Sequence, residues 1–192
     1  MEWYPAAKYF TNALSSTNPT PGGGAAAAMA GTMGCALAIM AAGTTLKRKT
    51  TSIQNRQLLE NSLKNLQTFK LQLESLIQED ANAYGAYLAA KKMEANDETR
   101  SVAIEESLWA AAQVPADTAT TAVHCLQEID KMKEAVAPVI QSDVLCARHL
   151  LKSAIACAIE NIKANKAYIT NKGHLLALEK QLVLLNSQEN YG

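Results

Sequence analysis

Asp80 stands where a carboxylate is costly. On a helix, side chains three, four and seven residues apart share a face. That spacing lines Asp80 up with Leu73, Leu76, Ile77, Tyr84 and Tyr87, an otherwise apolar stripe. Glu79 and Gln78 can turn outward; Asp80 cannot. A buried carboxylate must be paired, hydrogen-bonded or protonated. Asp80 is therefore either an acceptor for a neighbouring helix or an acid/base group with a raised pKa, and the pattern leaves both open. Asn161 repeats the theme, in line with Leu150, Ala154, Cys157 and Tyr168, with Asn165 one turn on. Small residues around it leave room for a ligand or for a close helix crossing.

Three further features carry potential chemistry. In "PTPGGGAAAAMAG", Pro21 leads into Gly22, Gly23 and Gly24 at the start of a small-residue helix. Glycines there can expose backbone N–H groups at a helix N-terminus, which favours a carboxylate, phosphate or polarised carbonyl. No Gly-Lys-Ser/Thr follows and no strand precedes, so neither a P-loop nor a dinucleotide fingerprint is present. Lys47 continues the line of Met33, Leu37, Met40 and Thr44, as a ligand cation or as a complement to the helix dipole. Asp143, in "QSD", reads as an N-cap. The single cysteines Cys35, Cys125, Cys146 and Cys157 form no C-x-x-C pair, and Cys146 with His149 lacks a second ligand pair, so no metal site is expected. No Glu-x-x-His occurs, which argues against a di-iron bundle.

The elements that position these groups are helices. The 192 residues are 48% hydrophobic but only 5% aromatic, so the core is built from Ala, Leu, Ile and Met. Eighteen basic residues balance 18 acidic ones, which gives no general reason to bind nucleic acid or anionic lipid. One all-α domain over 1–192 is expected, an up-and-down helical bundle around a central small-residue helix. Helices are predicted over 3–15, 24–46 (with Ala30, Gly34, Ala38 and Ala42 one turn apart) and 52–92. A fourth ends at Gln113, where Val114–Pro115 forces a break, and a fifth covers 117–136. The last two run from Ser142 or Asp143 to Asn171 and from His174 to Asn186. Residues 25–46 are uncharged for long enough to span a membrane. Their Ala, Gly and Thr content, without an aromatic belt, favours a buried central helix instead. The first residues lack a basic region followed by an apolar one, so no secretory signal is expected, and the single cysteines suit a reduced cytoplasmic setting.

The order of "PTPGGGAAAAMAGTMGCAL", basic residues at 47–49, "EDANAYGAYLAA", "VPADTA", "QSD" and "ENIKAN" resembles the cyclodeaminase/cyclohydrolase family of folate enzymes. The resemblance spans essentially the whole chain. It implies an all-helical homodimer acting on a one-carbon group of tetrahydrofolate, with no cofactor beyond that substrate. One family reaction closes 5-formiminotetrahydrofolate to the 5,10-methenyl form with loss of ammonia; another hydrolyses the methenyl form to 10-formyltetrahydrofolate. The family's catalytic aspartate falls on Asp80. Pro21, Gly22, Gly23, Gly24, Lys47, Asp143, Asn161 and Asn165 become the expected substrate-binding residues. Some positions depart from the family pattern: Ala25, Leu46, Ala116 and Val136–Ala137 replace its usual residues. A non-catalytic folate-binding or helical interaction protein on the same scaffold is the alternative.

Overall fold

The computed structural model describes residues 3–189. Six α-helices follow one another: α1 (Trp3–Leu14), α2 (Gly23–Leu46), α3 (Ile53–Lys92), α4 (Arg100–Met132), α5 (Gln141–Lys166) and α6 (Lys172–Glu189). Two short 3-10 turns, Lys133–Ala135 and Pro138–Ile140, join α4 to α5. The described residues contain no strand.

Helix α2 forms the axis of an up-and-down bundle, as its composition predicts. It packs most extensively against α5 and α3, and α4 closes the bundle by packing on both of those. Adjacent helices run antiparallel. Ala25 meets Asp80 and Cys35 meets Leu66 across α2 and α3. Asp130 meets Arg148 across α4 and α5. The small residues of α2 let the backbones approach: a Cβ on Gly34 would lie 2.9 Å from both the Ala147 carbonyl oxygen and Leu151 Cγ. Gly34, Ala38 and Ala42 are fully covered. Among the described residues α2 is the one helix apolar enough by length and composition to cross a membrane, yet 56% of its most apolar window is buried inside the bundle. Most of the apolar surface that makes α2 resemble a membrane span is thus used in packing.

The far end of α2 is tied down by side chains from elsewhere. Arg56 Nη1 donates to the Leu46 carbonyl at 2.9 Å, and Thr45 Oγ1 accepts from the Ala137 N–H at 3.1 Å. The cation that serves the carbonyls at this C-terminus is therefore Arg56, whereas Lys47 is exposed. Ser52 caps α3 by accepting from the Asn55 N–H. Helix α6 starts at Asn171, whose side chain accepts from the Gly173 and His174 N–H groups. Glu105 of α4 in turn accepts from the Thr170 and Asn171 N–H groups and pins that turn.

Four expectations need correction. Val114–Pro115 does not break the chain: α4 runs through Pro115 as one helix of 33 residues. Asp143 is not an N-cap, because α5 already starts at Gln141 with Ile140 at the cap, which leaves Asp143 in the first turn. Helix α5 ends at Lys166, not Asn171. The stripe of α3 also splits after Asp80: Tyr84 and Leu88 are each 36% exposed, whereas Tyr87 packs on the core and Ala90 is buried.

Candidate active site

At the N-terminal end of α2 the loop Pro19–Gly22, helix α3, helix α4 and the last turns of α5 converge. They enclose a pocket of about 170 Å³ lined by Pro19, Thr20, Gly22, Gly23, Gly24, Asp80, Tyr84, Ala111, Asn161 and Asn165. Asp80 reaches across from α3, and its Oδ2 accepts from the Ala25 N–H at 3.0 Å. Gly22, at the N-cap of α2, has no side chain to offer, so Asp80 supplies the cap from a different helix. The anion that this helix N-terminus attracts is thus the protein's own carboxylate. Burial raises the Asp80 pKa above the usual carboxylate range, and the Ala25 hydrogen bond offsets part of that rise.

The glycines are needed for space and not for unusual backbone angles. None of Gly22, Gly23 and Gly24 has a φ in the left-handed range. A Cβ on Gly24 would lie 2.0 Å from Asp80 Oδ1, and one on Gly23 would lie 3.1 Å from both terminal atoms of the Asn161 amide. Two asparagines face these glycines from α5, one turn apart. Asn161 Nδ2 donates to the Cys157 carbonyl of its own helix at 2.8 Å. Asn165 Nδ2 donates across to the Ala111 carbonyl of α4, also at 2.8 Å.

Of the expected site residues, Gly22, Gly23, Gly24, Asp80, Asn161 and Asn165 come together here, with Pro21 in the same loop. Lys47 and Asp143 do not. The length of α2 puts Lys47 roughly 35 Å from Gly24 at about 1.5 Å per residue. Asp143 is in the first turn of α5, at the opposite end of that helix from Asn161. Neither side chain reaches this pocket within one chain. Tyr84 was missed as a pocket residue because its spacing assigns it to the core stripe. Its position one turn beyond Asp80 was the available signal.

The family profile described as Formiminotransferase-cyclodeaminase matches residues 6–183. The chain belongs to that family. Among family relatives, a methenyltetrahydrofolate cyclohydrolase of Methylorubrum extorquens is 35% identical over 113 residues, 55% of this chain and 52% of that one. A formimidoyltransferase-cyclodeaminase of Gallus gallus is 25% identical over 167 residues, 85% of this chain and 31% of that one. The chain thus spans about half the length of the first relative and about a third of the second. The crystal structure of a formiminotetrahydrofolate cyclodeaminase from Thermotoga maritima superposes with a TM-score of 0.84 at 24% identity, covering 98% of this chain and 90% of that one. That likeness establishes the family fold for this bundle.

A wider cleft of about 540 Å³ lies between α3 and α4. Asp117 sits in it, its pKa raised by burial and by the neighbouring Glu79 carboxylate. Among the described residues no three His, Cys, Asp or Glu side chains are grouped to hold a metal ion.

Proposed function

We propose that this chain is a folate one-carbon enzyme that forms or hydrolyses 5,10-methenyltetrahydrofolate, with Asp80 as its general acid/base. The observation that carries the reading is a carboxyl group with a raised pKa facing a small pocket inside a folate-family fold. Such a group exchanges protons close to neutrality better than an ordinary aspartate. In cyclodeamination, N10 attacks the formimino carbon and its proton passes to the imino nitrogen, which becomes an amino group. Protonated Asp80 then donates its proton to the amino nitrogen, the C–N bond breaks, and ammonia leaves. The carboxylate that remains stabilises the cationic methenyl carbon. In cyclohydrolysis, Asp80 takes a proton from water as the water oxygen attacks that carbon; it then returns this proton to N5 as the C–N5 bond breaks, and the remaining hydroxyl proton goes to solvent as the formyl carbonyl forms. A pocket of 170 Å³ is below the roughly 300–1,000 Å³ of sites that enclose a drug-sized ligand. It therefore takes the reacting end of the substrate, with the benzoylglutamate outside and Tyr84 placed to pack on a ring.

The functional unit in this reading is a homodimer without metal or cofactor, working in the cytoplasm. The outward stripe of α2 supports the dimer: Met33 and Met40 are 47% and 41% exposed, with half-buried Ala26, Ala30 and Leu37 between and beside them, and no charge. A second copy laid antiparallel on that stripe would bring its Lys47 towards this pocket, where an anionic folate is to be held. The four free cysteines agree with a reducing compartment.

The reading is tested by measuring ammonia release from 5-formiminotetrahydrofolate, and the methenyl absorbance with each of the two substrates. One observation favours the alternative of a non-catalytic folate-binding protein: the bond from Ala25 gives Asp80 a structural duty. Tight folate binding with no turnover of either substrate would select that alternative.

A further inference from the structure

The route of α4 through Pro115 leaves a vacancy in its hydrogen-bond ladder. In an α-helix the N–H of each residue bonds the carbonyl four residues earlier, and proline has no N–H. The carbonyl that Pro115 cannot serve is that of Ala111. The Asn165 side chain donates to this same carbonyl at 2.8 Å, and both Ala111 and Asn165 line the pocket that holds Asp80.

That bond fixes which way the Asn165 amide points. A carbonyl oxygen accepts only from the NH2 end of an amide, so Nδ2 is committed to Ala111 and Oδ1 is left for the pocket. Asn161 is oriented in the same way by the Cys157 carbonyl. Asp80 has given one oxygen to the Ala25 N–H. The amide and carboxyl oxygens left over in the pocket are Asp80 Oδ1, Asn161 Oδ1 and Asn165 Oδ1, three acceptors beside the Thr20 and Tyr84 hydroxyls.

We infer that Pro115 is a positioning residue for this pocket. By leaving the Ala111 carbonyl to Asn165 it turns the Asn165 oxygen inward, and it adds an acceptor for an N–H donor of the ligand. The chemical class that fits is a planar group carrying two or more N–H bonds, such as an amidine or the edge of an aminopyrimidine. The inference deepens the folate reading and depends on it for the ligand, whereas the orientation of Asn165 stands apart from it. Pro115 itself is buried, whereas Ala111 is half-buried at the pocket wall, where the Asn165 amide covers its carbonyl.

The test compares Pro115→Ala, Asn165→Ala and the double variant. Pro115→Ala restores a helical N–H to Ala111 and so lets the Asn165 amide turn. Binding of tetrahydrofolate is measured by calorimetry, and exchange of the Asn165 side-chain amide protons by NMR. Each single variant is expected to weaken binding, Asn165→Ala by about tenfold as one neutral hydrogen bond predicts. The double variant should be no weaker than Asn165→Ala alone. The Asn165 amide should exchange slowly in the unmodified chain and fast in Pro115→Ala, while thermal stability stays level or rises. Unchanged exchange in Pro115→Ala overturns the inference, and so does a double variant whose losses add. If Pro115→Ala fails to fold, Asn165→Asp supplies the same decision: it puts an oxygen against the Ala111 carbonyl and should lose affinity as Asn165→Ala does, and undiminished affinity overturns the inference. If the unmodified chain does not bind tetrahydrofolate, the folate reading fails, and the NMR result still decides the role of Pro115.

Discussion

Replacing Gly24 by alanine puts the link between the α2 terminus and Asp80 under direct strain. The new Cβ would lie 2.0 Å from Asp80 Oδ1 and 2.7 Å from Cγ, whereas ordinary contact begins at 3.4 Å. The carboxylate must therefore retreat by about 1.4 Å, which breaks its 3.0 Å bond to Ala25. A hydrogen bond to a charged group contributes about 1.5–3 kcal/mol. The gain in helix propensity on exchanging glycine for alanine offsets about 0.5–1 kcal/mol of that. The net loss is then about 1–2 kcal/mol, or a fall of about 3–6 °C in Tm for a chain of this size. Turnover should fall further, since a misplacement of about 1 Å at a reacting group costs on the order of 10²-fold. The assay pairs thermal melts with ammonia release or methenyl absorbance. Gly85→Ala is the control: Gly85 lies inside α3 with nothing within 4 Å of a new Cβ, so it should gain about 0.5–1 kcal/mol and keep its activity. If Gly24→Ala matches that control in both stability and turnover, the reasoning about Asp80 is refuted.

Asp80→Asn should cut turnover by ~10²-fold or more while folate binding remains, because it removes the exchangeable proton; near-normal turnover would move the chemistry elsewhere. The same variant has a pH signature. The folded pKa of Asp80 is raised, so the native state holds this proton at pH values where the unfolded chain has released it. Stability from this group is present below the unfolded pKa and is lost as pH rises through the folded one. Relative to the unmodified chain, Asp80→Asn should therefore gain Tm from acid towards neutral pH, and a gap that stays constant would contradict the shift. Gly23→Val should weaken folate binding with the fold kept, because its Cβ crowds the Asn161 amide; unchanged affinity would leave the loop as only a turn. Light scattering at micromolar protein should report a dimer, and a charge placed on the stripe by Met33→Glu should shift it towards monomer; a monomer in the unmodified chain removes the interface.

The sequence shows what depends on local pattern and hides what depends on partners far along the chain. Helices α2 and α3 are legible because composition and the Ser52 cap act within a few residues. Asp80 is legible because a carboxylate breaks the stripe it belongs to. Pro115 is not, since the carbonyl it leaves unserved, that of Ala111, is taken by a side chain 54 residues further along the chain. Tyr84 looks like core because periodicity cannot tell which residues of a helical stripe face a pocket and which, like Tyr87, face the core. Asp143 joins the site residues only through resemblance to the family, and Lys47 through that and its place on the line of α2, but the lengths of α2 and α5 separate both from the pocket. The Gly22–Gly24 turn suggests an anion site, and the anion is Asp80 itself.

The central place of α2 has a consequence for how the chain is made. Its most extensive contacts are with α5, whose last residue lies about 120 positions after Leu46. At translation speeds of about 5–20 residues per second, α2 waits roughly 6–24 s for that covering helix to emerge. During that interval a 24-residue uncharged segment has only α3 and part of α4 to shield it. The helix that becomes the axis of the finished bundle is, on the ribosome, the segment with the greatest exposure to chaperones and to aggregation.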